Sequence, residues 1–191
     1  MSRMDCKARL PIRFLPTQYS LQVFQTLRLN HSRFFRSVSE YPLISFQSYS
    51  AMADRVLVHQ INRPISEAYT HFADLHKFVA IHPVIYKCEL LGESSYKLHE
   101  RMVLAGLGIS FSYKVLLQKV TPHSQVVMFA EIVKGVTLKL VFDFTDNNGT
   151  TELTEQVIFN GPFFIKPLFL AFLIKQHKRM ICNLNDANRV L

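Results

Sequence analysis

The sequence predicts an α+β domain in which a curved antiparallel sheet wraps around one long helix, and three observations support that expectation. Between residues 84 and 159, six segments alternate apolar and polar residues with period two and are linked by short turn signals. A further strand and a short helical stretch precede them. After Gly161-Pro162 the period changes to 3.6, and Leu170, Leu173, Ile174, His177, Met180, Ile181 and Leu184 form one stripe of a long terminal helix. Consecutive strands with short links form a meander. A seven-stranded sheet with a single long helix to bury must curl around it, and a cavity can remain between the two.

The elements follow in order. Residues 55–61 are rich in β-branched side chains and form the first strand, which Pro64 ends; Ser66 and Glu67 then suit the start of a helix. Ala68, Tyr69, Phe72, Leu75 and Phe78 recur at three or four, so residues 65–81 read as one or two short helices broken near Asp74 and stopped by Pro83. Four strands come next: residues 84–91, closed by Gly92; 96–104, closed by Ala105-Gly106-Leu107-Gly108; 109–120, closed by Thr121-Pro122; and 125–133, closed by Lys134-Gly135. The last two, 136–145 and 151–159, flank Asp146-Asn147-Asn148-Gly149, a hairpin signal because Asn and Gly tolerate positive φ.

This order of elements resembles the START-like (SRPBCC) superfamily, the birch-pollen-allergen or polyketide-cyclase and dehydrase type, whose shape is the helix-grip fold. The resemblance covers residues 54–189. Asn62-Arg63-Pro64-Ile65-Ser66-Glu67-Ala68-Tyr69 is similar to the family's opening motif, and Phe72-Ala73-Asp74-Leu75-His76-Lys77-Phe78 to its Phe-x-Asp-x-x-x-aromatic motif. Asn160-Gly161-Pro162 also looks like the family's approach to its last helix. These motifs belong to the fold and not to catalysis. The resemblance implies a domain that holds apolar or amphipathic small molecules in its cavity, sometimes with catalysis. It also implies that His82, in Ile81-His82-Pro83, faces the ligand.

Charge is unevenly placed along the 191 residues. The net charge is +8, and residues 1–51 contribute +5 of it through seven basic and two acidic side chains. Eight of the 14 serines lie there too. An Arg-rich, Ser-rich, acid-poor segment without an apolar signal core has the composition of an organelle transit peptide, mitochondrial rather than plastid. The alternative is an extension upstream of a true start at Met52, with a cytoplasmic domain. Mitochondrial members of the superfamily include coenzyme Q chaperones, in agreement with the first reading. A basic nucleic-acid arm lacks an accompanying recognition fold, so no nucleic-acid partner is expected.

Strand parity singles out polar residues on apolar faces. Glu100 shares its face with Tyr96, Leu98, Met102 and Leu104; Glu155 with Leu153, Val157 and Phe159; Tyr113 with Ile109, Phe111, Val115 and Leu117. His177 lies within the helix stripe. A carboxylate buried alone is costly, so Glu100, Tyr113, Glu155 and His177 are expected either to form a hydrogen-bonded cluster in the cavity or to meet the polar end of a ligand. With His82 they form the candidate ligand-binding set. The parity of Glu131 is undecided, because Val127, Phe129 and Val133 compete with Met128, Ala130 and Ile132 for the inside.

Other chemistries lack their motifs. Cys6, Cys88 and Cys182 are too scattered for a disulfide framework or a CxxC metal site, and no HxH or HxxxH occurs, so neither a metal nor a cofactor is expected. There is no GxSxG nucleophile and no phosphate loop leading into a helix. Phe163, Phe164, Phe169 and Phe172 crowd the start of the last helix and form either core or a membrane-touching edge. Two functions follow as expectations: binding and transfer of a lipid, isoprenoid or polyketide-like molecule, or a cyclase, dehydratase or hydrolase using cavity Glu, Tyr and His as acid and base.

Overall fold

The computed structural model describes residues 53–104 and 107–186. The expected transit peptide, residues 1–51, lies outside them. The chain runs β1 (Arg55–Ile61), α1 (Ile65–Ala73), α2 (Leu75–Ile81), β2 (Ile85–Gly92), β3 (Ser95–Leu104), β4 (Leu107–Thr121), β5 (Gln125–Val133), β6 (Val136–Asn147), β7 (Thr150–Asn160) and α3 (Lys166–Asp186). All seven strands form one antiparallel sheet in the order β1-β7-β6-β5-β4-β3-β2. This is the expected α+β architecture: a curved open sheet, two short helices after the first strand and a long helix at the end.

Local chemistry sets the boundaries. Asp74 adopts an extended conformation, ending α1, and its carboxylate accepts the backbone N–H of His76 at 2.9 Å, starting α2. The break predicted near Asp74 is therefore a cap. In the β6–β7 turn, Asn148 and Gly149 both take positive φ (53° and 85°) and Asn147 pairs with Thr150, the geometry that matches hairpin twist. At Gly161 a Cβ would lie 2.8 Å from the Phe159 ring, so the approach to α3 requires glycine.

The core fills the space between the helices and the sheet. Phe72 of α1 meets Phe142 of β6 at 4.9 Å between ring centroids and Phe144 at 5.3 Å. On α3 the buried face comprises Leu170, Leu173, Gln176, His177, Met180, Ile181 and Leu184. This matches the sequence stripe, with Gln176 added and Ile174 only half-buried.

The two ends of α3 are held differently. At the C-terminal end the buried Arg63 donates from Nε and Nη2 to the carbonyl of Leu184 at 2.9 and 2.7 Å, satisfying an acceptor left over in the last turn. Arg63 also pairs with Glu67, and its own carbonyl accepts from Thr151 Oγ1 at 2.8 Å. Asn183 Nδ2 donates to the Ile81 carbonyl at 2.8 Å, while Asn185 bridges the Gln60 carbonyl and the Asn62 N–H. The N-terminal end has the Lys166–Asp54 ion pair and the Phe159–Phe169 ring contact, and leaves Phe163, Phe164 and Leu168 exposed. Among the described residues no helix is long and apolar enough to cross a membrane.

Candidate functional site

A cavity of about 240 Å³ lies between α3 and the inner face of β3–β6. Its wall is mostly apolar because the period-two pattern turns Leu98, Val115, Met128 and Leu138 inward from successive strands. The parity of β5 is settled here: Met128, Ala130 and Ile132 line the cavity, which puts Glu131 on the other face. Volumes of ~300–1,000 Å³ are usual for small-molecule sites, so this cavity suits a compact ligand or the end of a longer one.

Of the five candidate residues, His82, Glu100, Tyr113 and His177 line the cavity. Glu100 on β3 and Tyr113 on β4 are diagonal neighbours on one face, two residues apart in register, since Leu98 pairs with Tyr113 and Glu100 with Phe111. The Tyr113 hydroxyl donates to Glu100 Oε2 at 3.1 Å. Burial pushes the Glu100 carboxyl up to about 7, against the smaller opposing effects of the Tyr113 hydrogen bond and of His177. Burial also raises the Tyr113 phenol well above its usual range, as does the neighbouring Glu100 charge.

Glu155 lies behind the wall and not in it. Fully buried on β7, it accepts from His177 Nδ1 on one oxygen and faces His59 Nε2 at 3.4 Å on the other. Burial works to raise its pKa, but the His177 charge and hydrogen bond, reinforced by those of His59, bring it down to about 2. Glu155 thus stays ionised and orients His177, whose remaining ring nitrogen, Nε2, is left for the cavity.

His82 follows α2 as its C-cap, and its Nδ1 accepts the backbone N–H groups of Val84 and Ile85 at 3.4 and 3.1 Å. That arrangement assigns the proton to Nε2. Burial, with the His177 charge nearby, holds its pKa well below the usual histidine value. The His82 ring stacks on Phe78 and meets the His177 ring edge-on at 5.8 Å.

Two buried polar residues beside this cluster escaped the sequence reading. His59 shares a face of β1 with Ile61, but the outward Val56 and Val58 make both faces of that strand look apolar, so parity gives no signal there. Gln176 lies three residues after Leu173 and four before Met180, and lines the cavity beside His177; its Oε1 is buried without a donor. The cluster combines a carboxyl with pKa near neutrality, a phenol, two imidazoles and an amide at an apolar surface. It can bind a polar group by hydrogen bonding, and it can move a proton.

No protein-family model matches the sequence, and no curated protein matches it. Solved structures do. A conserved protein from Geobacillus kaustophilus superposes with a TM-score of 0.57 at 15% identity, over 68% of this chain and 91% of that one. Ara h 8.0201 gives a TM-score of 0.51 at 9% identity, covering 68% of this chain and 97% of its own. The di-domain ARO/CYC StfQ from the steffimycin biosynthetic pathway also gives 0.51, at 10% identity, with 68% of this chain matching 49% of that one. The fold is thus the helix grip that these structures share, a START-like arrangement of a curved sheet around a long terminal helix.

Proposed function

We propose that this domain binds an apolar or amphipathic small molecule of the lipid, isoprenoid or polyketide-like kind in the cavity between α3 and the sheet, and carries it. The observation behind the reading is an apolar wall interrupted by one cluster of hydrogen-bonding groups, formed by Glu100, Tyr113, His82 and His177. Burying roughly 200 Å² of ligand apolar surface at ~25 cal/mol per Å² contributes about 5 kcal/mol, before the cost of association. Phe164 and Leu168 line the cavity and are also exposed, beside the more exposed Phe163, so the ligand route opens where apolar side chains meet solvent. This edge touches a membrane during exchange. Native mass spectrometry and solvent extraction of the purified chain test the reading: a lipid-like mass should be released on denaturation. Neither copurified nor added apolar ligand bound would overturn it.

A catalytic reading has its own support in the Glu100 carboxyl, which ionises at about 7 in hydrogen-bond contact with Tyr113. Glu100 would serve as base and His177 or Tyr113 as acid in a cyclisation, dehydration or hydrolysis. Turnover abolished in Glu100→Gln with ligand binding retained would favour this reading over simple carriage. For location, we propose that residues 1–51 direct the domain to the mitochondrion. A fluorescent fusion of that segment tests it, and diffuse cytoplasmic signal would favour Met52 as the start.

A further inference from the structure

We propose that the ligand's polar end is uncharged, so that the cavity accepts an alcohol, phenol or carbonyl group and rejects a carboxylate or phosphate on the same apolar body. The inference rests on the binding reading above and deepens it. Its basis is a census of the wall. Among the described residues that line the cavity there is no lysine or arginine, and the acid there is Glu100. An anionic headgroup would therefore meet a carboxyl and find no cation free to pair with it.

The imidazoles do not supply one. His82 accepts two backbone N–H groups on Nδ1, which fixes it as a neutral ring offering a single Nε2–H donor. His177 is already engaged with the buried Glu155, so a positive charge on its ring is matched by that carboxylate. At the mouth, Lys166 is paired with Asp54, and Pro167 in the first turn of α3 lacks an N–H to offer an anion.

What the wall does offer is a mixed set of donors and acceptors. His82 presents a donor, the Glu100–Tyr113 pair presents both kinds, and Gln176 adds an amide whose oxygen has no donor. A hydroxyl can donate to one of these groups and accept from another, and a carbonyl can accept from His82. A carboxylate can accept from the same donors, but it has nothing to give Gln176 Oε1 or Glu100, and no lysine or arginine among the described lining residues offsets the desolvation of its charge.

Three probes with one apolar body separate the possibilities: naphthalene, 2-naphthylmethanol and 2-naphthoate, titrated by fluorescence into the full chain at pH 8. The alcohol should bind more tightly than naphthalene and at least about tenfold more tightly than the carboxylate. In Glu100→Gln the carboxylate should gain several-fold while the alcohol changes less, with circular dichroism confirming the fold. A carboxylate that binds as tightly as the alcohol overturns the inference. Naphthalene binding with no advantage for the alcohol overturns it too, yet leaves the cavity reading standing. If none of the three binds, the cavity reading falls and this inference with it.

Discussion

Replacing Glu100 by glutamine should make the protein more stable at alkaline pH and change it little in acid. In the folded cavity the carboxyl ionises at about 7, against 4.5 for the unperturbed group. Well below pH 4.5 both folded and unfolded chains hold the proton, and the group contributes nothing to pH dependence. Between the two values the unfolded chain releases its proton and the folded chain keeps it, so folding becomes less favourable as pH rises. Above pH 7 the full difference of about 2.5 units applies, and at 1.36 kcal/mol per unit it costs about 3 kcal/mol. Glutamine has no proton to lose, and its side-chain oxygen can still accept from the Tyr113 hydroxyl. Thermal melts followed by circular dichroism from pH 4 to 8 should show the variant gaining on the wild type, by roughly 10 °C at pH 8 if each kcal/mol is worth 2–4 °C. Parallel curves across that range, or a variant that loses ground as pH rises, would refute the argument that burial holds the proton on Glu100.

Glu155 should behave with the opposite sign. Its folded pKa of about 2 lies below the 4.5 of the unperturbed group, so it contributes about 3 kcal/mol at neutral pH that is lost as pH falls from 4.5 toward 2. Glu155→Leu should be less stable by about that amount at pH 7 and lack this acid limb in urea titrations. Arg63→Ala should cost about 2–3 kcal/mol in chemical denaturation, since the Leu184 carbonyl loses its two donors and the buried stem its packing. Ala130→Leu, at a buried position in the cavity wall, should fill the ligand space. Naphthyl probes should then bind at least about tenfold more weakly, with stability changed by less than ~1.5 kcal/mol. Phe163→Ser, at the exposed mouth and outside the cavity lining, should slow transfer of a fluorescent lipid between vesicles while leaving equilibrium binding in solution unchanged.

Much of this arrangement was legible because period two forces a side chain to the face of its neighbours. Leu98 and Met102 fix the direction of Glu100, and Leu153 and Val157 that of Glu155, whatever the curvature of the sheet. The pattern failed where both faces look apolar. On β1 the outward Val56 and Val58 are as hydrophobic as the inward residues, so His59 had no polar background to stand against. Gln176 was hidden for a different reason, because a polar residue at the edge of a helix stripe reads as surface until the sheet is seen to reach around it. The distinction between Glu100 in the wall and Glu155 behind it depends on where each strand lies across the sheet. Spacing along the chain does not encode that.

The unequal fastening of α3 has a mechanical consequence. Three side chains, Arg63, Asn183 and Asn185, bolt its final turns to β1, to the β1–α1 connection and to the end of α2, as a cantilever is clamped at one support. Toward the other end stand the Lys166–Asp54 ion pair and one ring contact, with bare phenylalanines around them. Displacement of such a beam is greatest at its tip and falls toward the clamp, with His177 and Glu155 midway between the two. On the binding reading proposed above, a ligand would enter under that tip, where the helix has the fewest ties to the sheet.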